Sequence, residues 1–142
     1  LISLFLLASC DYSPLYSSKK NNFLNIETVE YEGDRKVNSI LKNRLRNHKN
    51  ANVDPLKVKI ISEYDKKDLS KDNLGNIETY QLSVKIEFII NSKNFGKIIT
   101  LEGNSKMQNF NDKFEEKDYE SRLKENMTNS IYENLIIQLT KK

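Results

Sequence analysis

The hydrophobic and polar positions alternate most regularly in residues 79–90. One set of alternate positions is apolar or aromatic throughout, and its members are Tyr80, Leu82, Val84, Ile86 and Phe88. Because successive side chains of a strand point to opposite faces, this pattern predicts a strand with one buried and one solvated face, which is typical of an antiparallel sheet. Turn-forming residues 91–94 follow, and residues 97–108 are predicted to pair back as a hairpin. Gly103 inside that second strand predicts a bulge or a kink.

Two more strands are predicted upstream. Residues 23–31 are rich in Ile, Val, Thr and Tyr, and residues 56–64 alternate apolar side chains with lysines. Both compositions are typical of strands, the second of a strand that is half buried. Residues 65–76 carry many charges and end in Gly75-Asn76, so we expect them to form a loop.

Two segments have the spacing of amphipathic helices. In residues 35–49 the apolar positions form a single stripe, and Asp34 is placed to cap the helix start. The apolar residues of that stripe are Val37, Ile40, Leu41 and Leu45. In residues 115–142 an apolar residue recurs every four positions from Tyr119 to Leu135, and Asp112 with Glu115 resembles a capping box.

The predicted order of elements is therefore β-α-β-β-β-α. A sheet with one apolar face and helices with one apolar stripe bury those surfaces against each other. The sequence predicts an α+β fold, a two-layer sandwich in which a four-stranded, mostly antiparallel sheet carries two helices on one face. A chain of 142 residues has room for one domain, which we place at residues 23–142.

The N-terminal residues have the pattern of a lipoprotein signal. Seven of the first eight residues are apolar, a run too short to span a bilayer but suited to the hydrophobic part of a secretory signal. Leu7-Ala8-Ser9-Cys10 resembles a lipobox, in which the Cys sulfur receives a diacylglycerol and cleavage occurs just before it. We expect residues 1–9 to be the end of an N-terminally truncated signal peptide and residues 10–22 to be a lipidated tether. The alternative is a buried free Cys10.

Composition and charge remove most catalytic chemistries. The net charge is +3, and one Cys and one His cannot build a disulfide scaffold, an iron–sulfur site or a zinc site of several Cys or His ligands. The acidic residues Glu115, Glu116 and Asp118 lie where a helix dipole favours carboxylates, and His48 is expected to be a cation at a helix C-terminus. The sequence thus predicts a protein that is not an enzyme and holds no metal or cofactor.

The first predicted helix is strongly basic and contains no acidic residue. At 100° per residue, four cations share the face opposite Val37 and Ile40, namely Arg35, Lys42, Arg46 and Lys49. This face is either a solvated surface or a site for phosphates or acidic protein, since guanidinium groups bind phosphate with two hydrogen bonds. Nucleic acid is not an expected partner, because no aromatic residues interleave with the cations to stack bases.

The mature chain would open with Cys10-Asp11-Tyr12-Ser13-Pro14-Leu15-Tyr16. This resembles the Cys-x-aromatic-x-Pro-Leu-Tyr opening of the LptE family, the lipopolysaccharide-assembly lipoproteins, in its alphaproteobacterial form. The order of elements, including a strand with Thr79-Tyr80-Gln81-Leu82, is also similar. The resemblance implies a non-catalytic α+β plug inside LptD, the outer-membrane β-barrel, which assists barrel assembly. It also implies that the complex inserts lipopolysaccharide into the outer leaflet and that the plug contacts it.

The resemblance leaves two places for that contact. One is the basic helix face, and the other is the charged segment with Lys66, Lys67 and Lys71. Asp11 stands where the family usually has Gly and resembles an inner-membrane retention signal of enteric bacteria. We therefore expect an outer-membrane lipoprotein, with the periplasmic face of the inner membrane as the alternative.

Two other functions stay open on the sequence alone. The first is a periplasmic lipid-anchored lipoprotein that binds a small or acidic ligand through its basic helix. The second is an anchored enzyme, which would require the fold to bring His48 beside a carboxylate and a hydroxyl.

Overall fold

The structure is a computed structural model that describes residues 23–141. Its elements follow the predicted order: β1 (Ile26–Gly33), α1 (Arg35–Leu45), β2 (Leu56–Lys71), β3 (Ile77–Asn91), β4 (Gly96–Gln108) and α2 (Lys113–Thr140). Within residues 23–141, no helix combines the length and the apolar character that crossing a membrane requires.

The four strands form one sheet in the order β1-β2-β3-β4. The pairs β2/β3 and β3/β4 are antiparallel, whereas β1 runs parallel to β2. Parallel neighbours need a crossover connection, and α1 provides it between β1 and β2. Both helices lie on the same face, where Asn38 of α1 contacts Ser62 of β2 and Met127 of α2 lies over Gly103 of β4. The predicted two-layer α+β sandwich is confirmed.

The core lies between the sheet and the two helices. From β3, one of the two inner strands, five side chains are completely buried, namely Leu82, Val84, Ile86, Phe88 and Ile90. The helices cover them with one buried stripe each, which consists of Val37, Leu41 and Leu45 in α1 and of Met127, Ile131 and Leu135 in α2. The alternating pattern of residues 79–90 therefore predicted the buried face of this strand correctly.

Strand β2 is longer than the sequence pattern indicated. The prediction of a loop over residues 65–76 is wrong up to Lys71, because β2 continues to that residue and pairs with β3. The extension is stabilised by α2: the Tyr64 hydroxyl donates to Glu120 Oε1 at 2.5 Å, and Lys66 Nζ lies 2.8 Å from Glu120 Oε2. Polar side chains on the inner face thus find partners on the helix, and only residues 72–76 form the turn.

Gly103 does not produce the predicted bulge. The pairing between β3 and β4 runs without a register shift, and Gly103 stands opposite Val84. A Cβ at Gly103 would lie 3.3 Å from the Cβ of Met127, so the missing side chain lets α2 approach the sheet closely. Gly33 has a different role at the end of β1. Its φ of 97° is unfavourable for other residues, and a Cβ added there would lie 1.7 Å from the carbonyl oxygen of Ser62, so only glycine fits.

The helix starts agree with the predictions better than the helix ends do. Asp34 Oδ1 accepts a hydrogen bond from the Val37 backbone N–H at 2.9 Å, as expected of an N-cap. α1 ends at Leu45, four residues before the predicted end. Asp112 caps α2, but the carboxylate that reaches back toward the preceding loop is Glu116, which accepts from the backbone N–H of residue 110 at 2.9 Å.

Candidate anion-binding groove

Three of the four cations predicted to share one helix face line a groove between α1 and the edge strand β1. Lys42, Arg46 and Lys49 form its basic wall, and its volume is about 180 Å³. Arg46 and Lys49 lie beyond the last residue of α1. A backbone hydrogen bond of 2.8 Å from Ile26 N–H to the His48 carbonyl holds this turn against the start of β1. The turn therefore places Lys49 beside the strand instead of continuing the helix.

The remaining lining of the groove is partly apolar. Ile26 and Leu45 are buried at its floor, and Thr28 and Tyr31 of β1 add hydroxyl groups. Cations at the rim and hydrocarbon at the floor suit a ligand that joins an anionic group to an apolar body. This combination could not be read from the helix alone, because half of it comes from β1.

The positive charges of the groove are not neutralised from within the domain. Lys42, Arg46 and Lys49 are exposed, and none of them has a carboxylate within 4.0 Å among residues 23–141. Glu30 and Glu32 of the neighbouring strand β1 are instead bound to a lysine of β2, at 3.2 and 2.7 Å. The three cations are therefore available to an external anion, which guanidinium and ammonium groups bind through charge-assisted hydrogen bonds.

Arg35 is not part of this groove. It is the first residue of α1 and is exposed, and Lys42 lies seven residues further along the helix. At a rise of about 1.5 Å per residue, the two Cα atoms are roughly 10 Å apart along the helix axis. Arg35 therefore shares the predicted helical face but does not line the groove, and its role as a candidate binding residue stays a prediction.

The second set of candidates, Lys66, Lys67 and Lys71, lies in strand β2 and not in a loop. Lys66 is half-buried and forms ion pairs with Glu116 and Glu120 of α2. Burial by itself would lower the pKa of Lys66, but the hydrogen bond and the negative charge of Glu120 outweigh burial and raise it. Lys67 and Lys71 each have an aspartate of the same strand nearby, at 2.9 and 3.9 Å. These lysines are paired internally, so the structure favours the groove over this segment as a place for anions.

A polar network that sequence reasoning missed connects β2 with both helices. Lys124 of α2 lies 3.1 Å from Asp34, the N-cap of α1, and 3.7 Å from the ring centre of Tyr64. Burial raises the pKa of the Tyr64 hydroxyl, which donates to Glu120. Burial alone would raise the pKa of Glu120, but the hydrogen bonds from Lys66 and Tyr64 lower it. Asp34 and Lys124 are 90 positions apart, so no local pattern reveals the pair.

His48 has a different environment from the one predicted. Its Nε2 lies 2.6 Å from the Tyr132 hydroxyl on α2, and burial lowers the pKa of the imidazole. A lowered pKa disfavours the charged imidazole, so the structure does not support the predicted cationic partner at the helix end. No carboxylate lies within 4.0 Å of His48 in residues 23–141, so the arrangement required for an anchored enzyme is not formed there. The same residues contain no group of three or more His, Cys, Asp or Glu able to hold a metal ion.

Cys10, the predicted lipidation site, lies outside the described residues, as do the signal segment 1–9 and the tether 10–22. These assignments stay predictions.

Known proteins resemble this chain in structure and not detectably in sequence. No protein-family model matches it, and no curated protein does. The structure is similar to rare lipoprotein B from Shewanella oneidensis, with a TM-score of 0.55 and 12% identity over 79% of this chain and 96% of that one. It is also similar to a lipoprotein B from Nitrosomonas europaea, with a TM-score of 0.57 and 16% identity over 84% of this chain and 85% of that one. A lipoprotein from Caulobacter crescentus is similar with a TM-score of 0.55 and 13% identity, over 80% of this chain and 86% of that one.

The chain shares the fold of these three lipoproteins. Each likeness extends over most of both chains, so the likeness concerns the whole domain and not a single motif. At this level of identity the groove residues cannot be transferred from one protein to another, and their role must be argued from this chain.

Proposed function

We propose that this protein is a lipid-anchored outer-membrane lipoprotein of the LptE type. In this role it lies inside an LptD-like β-barrel, helps that barrel to assemble, and assists insertion of lipopolysaccharide into the outer leaflet without catalysing a reaction. The observation that carries the proposal is the fold shared with rare lipoprotein B, a second name for LptE, over 96% of that chain. The opening Cys10–Tyr16 adds support from the sequence, through its resemblance to the opening of the LptE family.

The shape and surface of the domain suit a plug. The helices cover one face of the sheet, and the other face carries mainly polar side chains. Those on the central and last strands include Gln81, Ser83, Lys85, Glu87, Thr100, Glu102, Asn104 and Lys106. Because the interior of an outer-membrane barrel is polar, a polar sheet face can pack against its wall without burying unpaired apolar surface. The inward side chains of β3 from Leu82 to Ile90 are buried in a packed core, which keeps the outer face rigid.

The predicted anchor suits the same role. Acyl chains on Cys10 would confine the domain to one membrane and raise its effective concentration for a partner in that membrane. With Asp11 after the cysteine, the periplasmic face of the inner membrane is the alternative location.

The test is a pull-down of the full lipoprotein from detergent-solubilised membranes of its own organism. We expect a large β-barrel protein to co-purify in a ratio of about one to one, and depletion of the lipoprotein to lower the amount of assembled barrel. A lipoprotein that purifies without a barrel, with barrel levels and surface lipopolysaccharide unchanged on depletion, would refute the proposal.

The groove favours a second candidate function, that of a periplasmic lipoprotein that binds an anionic ligand without a barrel. Lys42, Arg46 and Lys49 provide the unpaired cations that such a protein needs. The two functions differ in where binding occurs: a binding lipoprotein would retain its ligand when no barrel is present.

A pair of matched variants tests the groove under either function. Lys42→Glu with Arg46→Glu reverses two charges of the groove, whereas Lys57→Glu with Lys85→Glu reverses two exposed lysines of the sheet by the same net amount. We expect the groove pair to weaken binding of purified lipopolysaccharide at least tenfold and the control pair to leave it nearly unchanged, with similar melting temperatures. Equal losses would show a general charge effect and remove the groove from the argument.

A further inference from the structure

Several chain segments meet at one end of the domain, where the chain enters β1. The Ile26 backbone N–H donates to the His48 carbonyl at 2.8 Å, so this entry lies beside the connection from α1 to β2. Lys57 pairs with Asn91, which places the turn between β3 and β4 at the same end. Tyr132 of α2 contacts His48, so the last turns of α2 extend toward this end as well. We call it the entry end, and its connecting segments are residues 23–25, 46–55, 92–95 and 141.

Two aromatic side chains of the entry end are open to solvent. Phe23 is 72% exposed and precedes β1, and Phe95 is 50% exposed in the turn between β3 and β4. Within residues 23–141, no other ring and no cation stacks on either of them. The Ser92 backbone N–H donates to the Phe95 carbonyl at 2.9 Å, which fixes the turn that presents this ring. Exposed aromatic rings gain free energy when they enter the boundary between lipid headgroups and acyl chains.

Cations accompany these rings in the same segments. The connecting segments of the entry end contain four cations and one carboxylate, namely Arg46, Lys49, Lys93, Lys141 and Asp54. Asp54 is bound to Lys93 at 3.1 Å, whereas the other three cations have no carboxylate within 4.0 Å among residues 23–141. Arg46 and Lys49 also line the basic groove, which therefore reaches this end. Free cations near exposed aromatic rings are a combination that holds protein surfaces on anionic lipid.

The opposite end of the domain, which we call the far end, lacks this combination. Its connecting segments, residues 72–76 and 109–112, contain two aspartates and no cation. Exposed apolar side chains occur there too, since Leu74 and Phe114 are 88% and 81% exposed. A negative lipid surface attracts cations and repels carboxylates, so of the two ends the entry end alone combines apolar exposure with favourable charge.

The predicted lipid anchor leads to the entry end as well. Cys10 precedes Phe23 by 13 positions, which span at most about 45 Å. β3 has 15 residues and is therefore about 50 Å long at roughly 3.4 Å per residue, so the far end lies a further tether length away. Acyl chains on Cys10 would thus raise the effective concentration of lipid for the entry end more than for the far end.

We propose that the entry end docks on the anionic phospholipid surface of the membrane that holds the lipid anchor. Phe23 and Phe95 enter the boundary between headgroups and acyl chains, and the three free cations lie against the phosphates. The inference goes beyond the proposed function, because it fixes the orientation of the domain to the bilayer, and it rests on the predicted acylation of Cys10. The docking surface is the end of the sheet and not its outer face, so that face stays available to a barrel wall.

Tryptophan fluorescence in vesicles tests the inference, because the chain contains no tryptophan. Phe95→Trp places one fluorophore at the entry end, and Phe114→Trp places a matched one at an exposed aromatic position of the far end. Each full lipoprotein is reconstituted into vesicles of phosphatidylcholine and phosphatidylglycerol, with and without brominated acyl chains, which quench tryptophan on contact. We expect bromination to reduce the fluorescence of Phe95→Trp at least twofold and to leave that of Phe114→Trp nearly unchanged.

Three results would overturn the inference. Equal quenching at both positions would show a domain that turns freely on its tether, and no quenching at either would show a domain that stands away from the bilayer. Quenching of Phe95→Trp that is undiminished in phosphatidylcholine alone would remove anionic lipid as the occupant. A blue shift of Phe95→Trp emission that grows with protein concentration in detergent would instead assign this end to a second copy of the chain.

The test is separate from those of the anchor and of the barrel. In the Cys10→Ser background, excess anionic vesicles should still quench Phe95→Trp more than Phe114→Trp, so docking is measured even if the cysteine carries no lipid. No barrel takes part in the assay. Failure of docking therefore leaves the proposed function standing, and a barrel that does not co-purify leaves the docking surface standing.

Discussion

The packing of α2 on β4 depends on the absence of a side chain at Gly103. A Cβ there would lie 3.3 Å from Met127 Cβ, 3.5 Å from Met127 Cγ and 3.6 Å from Ile131 Cδ1. The φ angle of Gly103 is not in the left-handed region, so another residue can adopt the backbone conformation. Any cost of Gly103→Val therefore comes from crowding against α2 and not from backbone strain.

The size of that cost follows from two opposing effects. Valine suits a strand better than glycine does, which is worth up to about 1 kcal/mol. Extra methyl groups in a packed core cost about 1–3 kcal/mol, and Met127 and Ile131 are only 7% and 2% exposed, so they cannot swing into solvent. We expect Gly103→Val to lower the free energy of unfolding by about 1–2 kcal/mol, and Met127→Ala alone to lower it by about 2–4 kcal/mol through the space it leaves.

The double variant is decisive. In Gly103→Val with Met127→Ala, the valine methyl groups enter the space left by the methionine, so the combined loss should be smaller than the sum by about 1 kcal/mol or more. Urea unfolding of the four proteins, followed by circular dichroism, measures all terms of this cycle. Losses that add within about 0.5 kcal/mol would refute the close-packing role of Gly103 and restore a purely local role in the strand.

Three further predictions concern charge and lipidation. Glu120→Gln should lower stability at pH 7 by roughly 1 kcal/mol. Because Lys66 helps to lower the pKa of Glu120 below the ordinary 4.5, the wild type should lose this advantage as the pH falls through and below that value, and urea unfolding from pH 7 to pH 3 should show the variant falling less steeply. Asp34→Ala removes the α1 cap and leaves the half-buried Lys124 without its carboxylate, so it should cost about 1–2 kcal/mol in the same assay; an unchanged midpoint would contradict both roles. Cys10→Ser should remove the mass of the acyl groups in intact-protein mass spectrometry and release the protein from membranes, whereas an identical mass shift in both proteins would contradict lipidation at that residue.

Much of the fold follows from local patterns. Strand β3 alternates without an interruption, so its buried face could be read directly from the sequence. The start of α1 was predictable because a capping aspartate needs only the residues next to it, and Asp34 does accept from the first turn. The end of α1 was not, because the cationic residues after Leu45 continue the helical pattern while the backbone turns toward β1.

The extension of β2 shows where local patterns fail. Its inner face carries Tyr64 and Lys66 in place of the apolar residues that mark a buried strand, and so the segment resembles a loop. These side chains are stabilised by Glu116 and Glu120, which lie 50 and 54 positions from Lys66 along the chain. A polar inner face is compatible with a strand only when such partners exist, and the sequence does not show which residues they are.

The sequence predicted which kind of residue the candidate site contains, but not which particular residues line it. Periodicity placed Arg35 on the same helical face as Lys42, but it could not show that only the cations near the end of α1 line a groove with β1. A cation that stabilises the fold has a carboxylate within reach, whereas a cation that is available to a ligand has none. Lys66 has two and Lys124 has one, whereas Lys42, Arg46 and Lys49 have none among residues 23–141.

This distinction has a consequence for salt. The exposed cations of the groove interact with ligands across solvent, where about 0.15 M salt screens charges over roughly 8 Å. The network of Asp34, Lys124, Tyr64 and Glu120 is partly buried, so salt weakens it less. Raising the salt concentration should therefore release an anionic ligand from the groove at concentrations that leave the unfolding midpoint nearly unchanged. If binding and stability instead declined together, the groove and the network would be one electrostatic unit, and the division between free and structural cations would be wrong.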